Sequence, residues 1–193
     1  VPVPEVVTGR SLWPVLRSEK SGLVDAERTW VVTGRERHVA GAREGFLPYP
    51  QRALHTRTHL YIINFKPDRY PLGDPGPLLA AGKSIPEKQL ANDTRAAVPD
   101  MDASPTKAWL IGQRDNPEWK AAFDRAFGLR PREELYDLIA DPDQLHNLAA
   151  DPASQQIRAD LEARLLAELK RTGDPRVSDE PAFEKPPFTN PAA

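Results

Sequence analysis

Cysteine is absent from the 193 residues, which rules out a disulfide framework and any thiolate metal site. No run approaches the ~20 apolar residues that a membrane-crossing helix needs, and the first residues lack a basic-then-apolar leader pattern. A net charge of −2 supplies neither a basic field for nucleic acid nor an acidic solvating block. Neither nucleic acid nor a membrane is therefore expected as a partner, and the compartment stays open. What is present is the balance of a folded domain, 39% hydrophobic against 28% charged, in a chain long enough to bury a core. The 21 prolines cluster in 67–86 and 175–191, which predicts loop or extended backbone there. The opening Val1-Pro2-Val3-Pro4-Glu5 reads as extended chain with nothing before it to pack on, so Val1 is expected to lie inside a longer precursor.

Local patterns predict the elements. Ser11 can cap a short helix anchored by Leu12, Trp13 and Leu16. Thr29 to Gly34 is β-branched and aromatic and predicts a strand, with an extension through Val39 before a glycine-dotted loop to Pro50. Gln51 to Thr56 and Leu60 to Phe65 predict an antiparallel pair, the second strand apolar enough to be central. Residues 66–103 show no period and read as a long loop, either functional or poorly ordered. Ser104-Pro105 starts a helix to Ile111, and Asn116 caps another over 117–127 that stops at Gly128. Trp109, Trp119, Phe123 and Phe127 fall at helical spacing, which favours core over a sugar-stacking platform.

Glu133 to Leu138 predicts a further strand. Asp141-Pro142 and Asp151-Pro152 each pair a capping side chain with a first-turn proline. Over 153–171, Ile157, Leu161, Leu165 and Leu169 recur every fourth residue, with Arg158–Glu162 and Asp160–Arg164 as outward charge pairs and Gly173 as the stop. The expected fold class is α+β: a small antiparallel sheet of about four strands packed by a long C-terminal helix. Three spans are expected: 1–28 as linker with a short helix, 29–173 as the folded unit, and 174–193 as an extended tail.

Three ordered segments resemble the C-terminal region of the sulfatase family, within the alkaline-phosphatase-like superfamily. They are Thr8-Gly9-Arg10-Ser11-Leu12-Trp13-Pro14-Val15-Leu16; then Tyr49-Pro50-Gln51-Arg52-Ala53-Leu54 with Tyr61-Ile62-Ile63-Asn64-Phe65; then Glu134-Leu135-Tyr136-Asp137-Leu138 with Asp141-Pro142, Asn147-Leu148-Ala149 and Asp151-Pro152. With Ser104-Pro105-Thr106 they span about 8–152 and look nearest to the N-sulfoglucosamine sulfohydrolase branch. The resemblance implies a C-terminal subdomain of an enzyme hydrolysing sulfate esters or sulfamates of saccharides. It also implies a formylglycine nucleophile, formed in a Cys/Ser-x-Pro-x-Arg motif, and a calcium ion, both in the full-length enzyme. This chain has no such motif and none of those groups can be placed on it, so alone it is expected to be inactive. The partners implied are its own N-terminal catalytic domain and a sulfated saccharide, with homodimer formation left open. An exported location, periplasmic, secreted or lysosomal, follows from family habit.

Glu36, Arg37, His38, Arg43 and Arg52 are the candidate substrate contacts. They flank a loop that, in the family, folds over the mouth of the catalytic pocket, and a guanidinium offers a two-pronged donor to sulfate or carboxylate. The plainer reading is a solvated loop with Arg52 bonded to backbone carbonyls. His55 and His59 are four apart but flank a turn without a nearby carboxylate, which favours surface histidines over metal ligands. Glu133, Glu134 and Asp137 read as structural rather than as an acid–base pair. Asp68-Arg69-Tyr70 reads either as a rim or dimer contact or as a proline-stiffened loop. Two other classes remain: a non-catalytic carbohydrate-binding or oligomerisation module of the same fold, and the partner domain of a related phosphoesterase.

Overall fold

The computed structural model describes residues 2–79, 83–178 and 183–184. Four strands, β1 (Trp30–Arg35), β2 (Gln51–Thr56), β3 (His59–Asn64) and β4 (Glu133–Asp137), form one antiparallel sheet in the order β1-β2-β3-β4. Among the described residues five α-helices accompany them: α1 (Trp13–Leu16), α2 (Glu87–Asn92), α3 (Pro105–Gly112), α4 (Lys120–Phe127) and α5 (Gln155–Arg171). The fold class is α+β, as the alternation of strand and helix patterns predicts.

The pleat decides which side chains α5 meets. Val32, Leu54, Tyr61 and Leu135 fall in one cross-strand row, because 32 pairs with 54, 54 with 61 and 61 with 135. Leu54, Tyr61, Ile63 and Leu135 pack with Leu161, Leu165 and Leu169 of α5. Fully burying a leucine of this kind stabilises by about 1.5–3 kcal/mol, so the repeat along α5 is enough to seat it on the sheet. Ile157, the first member of that repeat, is 41% exposed and lies outside this core. Gly173 closes the helix at φ +69, a conformation that a glycine adopts without steric cost.

A second core lies between β3 and β4 in the chain. Leu90 of α2, Ala97, Val98, Ala108, Ile111 and Phe127 are buried together, with Leu72, Leu78, Ile85 and Phe123 packed against them. The long loop read over 66–103 is corrected in part: α2 and short 3-10 turns at Gly76–Leu79 and Thr94–Ala96 take up about a third of it. Lys107 is buried, and its ammonium donates to the carbonyls of Thr94, Val98 and Met101, which pins that backbone down. Burial lowers its pKa, although Asp102 and Asp93 pull the other way. Gly73 is required where this segment meets the loop after β1, since a Cβ there would lie 2.8 Å from the Ala42 carbonyl oxygen.

Two asparagines fasten these parts together. Asn64 donates through Nδ2 to the Pro131 carbonyl and to Glu134, and its N–H bonds Arg132, closing the ends of the inserted segment. Asn147 accepts from the Leu135 and Ala149 N–H groups and donates to the Glu133 carbonyl, holding the chain after β4 against that strand. Glu134 accepts from Asn64 and Tyr136, and Asp137 accepts from the N–H groups of Ile139 and Ala140, so both serve the fold.

Several local expectations are corrected. Helix α1 begins after Leu12; Ser11 accepts from the Trp13 N–H two residues on, a turn rather than a cap. Leu12, Trp13 and Leu16 are exposed and anchor nothing within the described residues. Strand β1 ends at Arg35, because 3-10 turns at Ala40–Ala42 and Glu44–Phe46 take over the following loop. Asn116 caps only a turn, accepting from the Glu118 N–H, and α4 starts at Lys120. Asp141 accepts from the His146 N–H in a turn with no helix behind it, whereas Asp151 accepts from the Ala153 N–H and does lead into α5. Arg164 lies 4.8 Å from the centre of the Trp30 ring rather than pairing with Asp160, which accepts from Gln156. Of the predicted tail, Pro175–Val177 forms a 3-10 turn, while residues 179–182 and 185–193 lie outside the described residues.

Candidate functional site

The candidate loop leaves β1 at Glu36 and returns at β2. Its position is set by a pairing in the sheet: Gly34 sits opposite Arg52, and a Cβ on Gly34 would come within 2.8 Å of Arg52 Cδ. Glycine there makes room for the guanidinium to cross the strand face. Arg52 then uses every N–H it has. Nε bonds Asp174 at 2.6 Å, Nη1 donates to the Arg35 and Gln51 carbonyls, and Nη2 reaches Glu36 at 2.7 Å and Asp174 at 3.2 Å. No donor of Arg52 is left for a ligand in this arrangement.

Glu36 is drawn into the same network. Arg176 approaches its carboxylate at 2.5 Å, then bonds Glu184 at 2.8 Å, and Glu184 also receives Arg69 at 2.9 Å. Three cations and three carboxylates thus alternate around the turn after α5, with side chains 6–17% exposed. Burial by itself would lower the Arg52 and Arg176 pKa values; the bonds to Asp174, Glu36 and Glu184 outweigh it and raise them. For Glu184, burial works to raise the pKa and the bonds from Arg69 and Arg176 bring it below its ordinary value.

Arg43 is buried in a separate knot. It donates to the Tyr70 and Pro71 carbonyls and to Asp100 at 2.9 Å, while its Nη1 has no hydrogen-bond partner among the described residues. Arg35 and Arg43 lie 5.2 and 5.6 Å from the centre of the buried Tyr49 ring, and burial pushes the Tyr49 hydroxyl up to about 12. Asp100 carries no local sequence signal that would mark it as part of this site. Its carboxylate accepts from Arg43 and from the Val39 N–H at 2.8 Å, and lies 3.8 Å from the His38 ring. One buried carboxylate thereby holds the loop at 38–43. Two residues earlier, Val98 takes φ +40, an unusual conformation for a β-branched residue, fixed by the Asp74 carbonyl and by Lys107.

Of the remaining candidates, Arg37 is half-buried and His38 is exposed. Arg37 donates to the Phe46 carbonyl at 2.6 Å and to the Phe183 carbonyl at 2.9 Å, which fixes its direction. His38 is 68% exposed, beside the buried Asp100. His55 is the last residue but one of β2 and His59 begins β3, where it meets the Thr58 hydroxyl. Among the described residues, no three His, Cys, Asp or Glu side chains gather as a metal site.

No family model matches the chain. No curated protein matches it. Among solved structures, it is similar to a 2-O GAG sulfatase at 19% identity and TM-score 0.45, covering 93% of this chain and 24% of that one. It is also similar to a protein from Bacteroides thetaiotaomicron assigned to the sulfatases, at 19% identity and TM-score 0.45, over 97% of this chain and 25% of that one. A third is a protein solved with its substrate D-glucosamine-2-N,6-O-disulfate, at 16% identity and TM-score 0.47, over 93% and 23%. The chain thus spans about a quarter of the length of each of these three structures.

Proposed function

We propose that this chain is the C-terminal unit of a sulfatase. In this reading a longer protein hydrolyses sulfate esters or sulfamates of saccharides, nearest in its motifs to the N-sulfoglucosamine branch. Formylglycine and calcium belong to a catalytic domain outside these residues, and the protein is exported. The observation that carries the reading is the way the family-like motifs become joints of the fold. Asn64-Phe65 closes the insertion, Glu134-Leu135-Tyr136-Asp137 forms β4, and Asn147-Leu148-Ala149 is locked onto that strand. In the remaining motif, Thr8 to Leu16, Arg10 pairs with Asp25 and Glu27 and Arg28 donates to the Arg10 and Ser11 carbonyls, but Leu12, Trp13 and Leu16 are exposed, as are Val3, Val6, Val7 and Leu23. Seven large apolar side chains left open over one short segment suit docking against a partner domain.

Within the site, Arg37 and His38 are proposed to meet the sulfated sugar. Glu36, Arg43 and Arg52 act through the loop that they hold, and Asp100 positions His38. Assaying both the isolated chain and the longer protein against an aryl sulfate and glucosamine N-sulfate tests this division. Turnover is expected from the longer protein alone; hydrolysis by these 193 residues would overturn it.

A further inference from the structure

Two tryptophans that helical spacing assigns to the core stand instead at the surface. Trp109 on α3 is 44% exposed, Trp119 just ahead of α4 is 36% exposed, and neither belongs to either hydrophobic core. Their rings meet edge to face, centres 4.8 Å apart and planes at 76°. This geometry braces one indole with the other and is favourable in itself, so the pair is held in place without being covered.

Beside Trp109 lies a recess of about 240 Å³, whose wall also includes Ser84, Glu87, Gln113 and Arg114. Its rim is polar and open to bonding. The Ser84 hydroxyl and the Glu87 carboxylate make no hydrogen bond among the described residues, and Gln113 uses only Oε1, which accepts from Asn116. Arg114 is steadied by bonds to the Lys83 and Ile111 carbonyls. A flat aromatic wall flanked by an alcohol, a carboxylate, an amide and a guanidinium is complementary to a pyranose ring. Such a ring offers an apolar C–H face to the indole and hydroxyls around its edge. The uncovered indole area, roughly 200 Å² for the two rings, is far below what a stable protein interface buries.

We propose that Trp109, braced by Trp119 and flanked by Glu87 and Gln113, forms a saccharide-binding subsite separate from the 36–52 loop. It takes one pyranose unit of an oligosaccharide. Stacking on a neutral C–H face needs no sulfate, so the subsite does not depend on the sulfatase reading.

The test is saturation-transfer NMR and tryptophan fluorescence on the chain with two probes, a heparin-derived tetrasaccharide and its fully desulfated form. Both are expected to bind and to contact Trp109. Trp109→Ala should weaken both by about tenfold or more, Trp109→Phe should recover part of the loss, and Gln113→Ala should weaken binding at an unchanged melting temperature. Three results would overturn the proposal. One is no saturable binding of either probe; another is undiminished binding by Trp109→Ala, which would place the sugar elsewhere. The third is a self-associated chain that Trp109→Ala dissociates in sedimentation, which would make the pair a protein contact.

Discussion

The loop from Glu36 to Arg52 and the surface of α3 and α4 differ in opposite senses from what their composition suggests. In the loop, residue types suited to meeting a ligand are turned inward: Arg43 and Arg52 are buried, and Glu36 sits between two guanidiniums. On α3 and just ahead of α4, residue types suited to a core are turned outward, as Trp109 and Trp119 show. The difference teaches that residue type sets what a side chain can do, while non-local partners set what it does. Arg52 is claimed by Asp174, 122 positions away, and Glu36 by Arg176, 140 positions away. The two tryptophans have no such claim on them beyond each other.

Breaking the inward half should have the largest effect. Arg52→Ala leaves Glu36 and Asp174 short of a cation in a mostly buried setting, and is expected to destabilise the chain by about 3–5 kcal/mol in urea unfolding. Loss of only a few tenths would mean that the network is surface decoration. Next is Gly34→Ala, whose new Cβ pushes Arg52 off its bonds; a loss of about 1–3 kcal/mol is expected by the same measurement.

Acid probes the network more gently. Glu184 and, across the sheet, Glu133 both titrate below the ordinary 4.5 in the folded chain. For Glu133, burial opposes this, and the bonds from Tyr61 and Arg158 outweigh it. Their folded pKa values lie below the unfolded ones. Their stabilisation is therefore complete above the unfolded value and lost as pH falls through the folded one. Melting temperatures measured between about pH 3 and 6 should fall on the acid side, and Glu184→Gln should flatten that fall. The smallest effect belongs to the outward half. Trp109→Ala or Trp119→Ala should cost no more than about 1 kcal/mol, the worth of an edge-to-face pair. A larger loss by calorimetry would restore them to the core.

How far the sequence reaches follows the same division. The four strands and α5 were legible because their signals are local and periodic: β-branched runs in Trp30 to Thr33, apolar continuity from Leu60 to Ile63, and leucines every fourth residue in α5. Helix α2 was not, because six residues between prolines carry too short a pattern, and packing against α3 holds them helical. Of the candidate site, the loop and the five candidate residues in and beside it could be marked, but not which of them face solvent. Asp100 left no local signal at all, since its importance lies in where the insertion brings it: beneath Val39, Arg43 and His38.

Whether the two outward members of the loop read the sugar is decided most directly by steady-state kinetics of the longer protein. Glucosamine N-sulfate and an aryl sulfate would be compared in the native form and in the Arg37→Ala/His38→Ala variant. The expected result is a KM for the sugar raised about tenfold or more, with aryl sulfate turnover and melting temperature unchanged. Equal losses on both substrates, or none on the sugar, would contradict the assignment of substrate recognition to this loop.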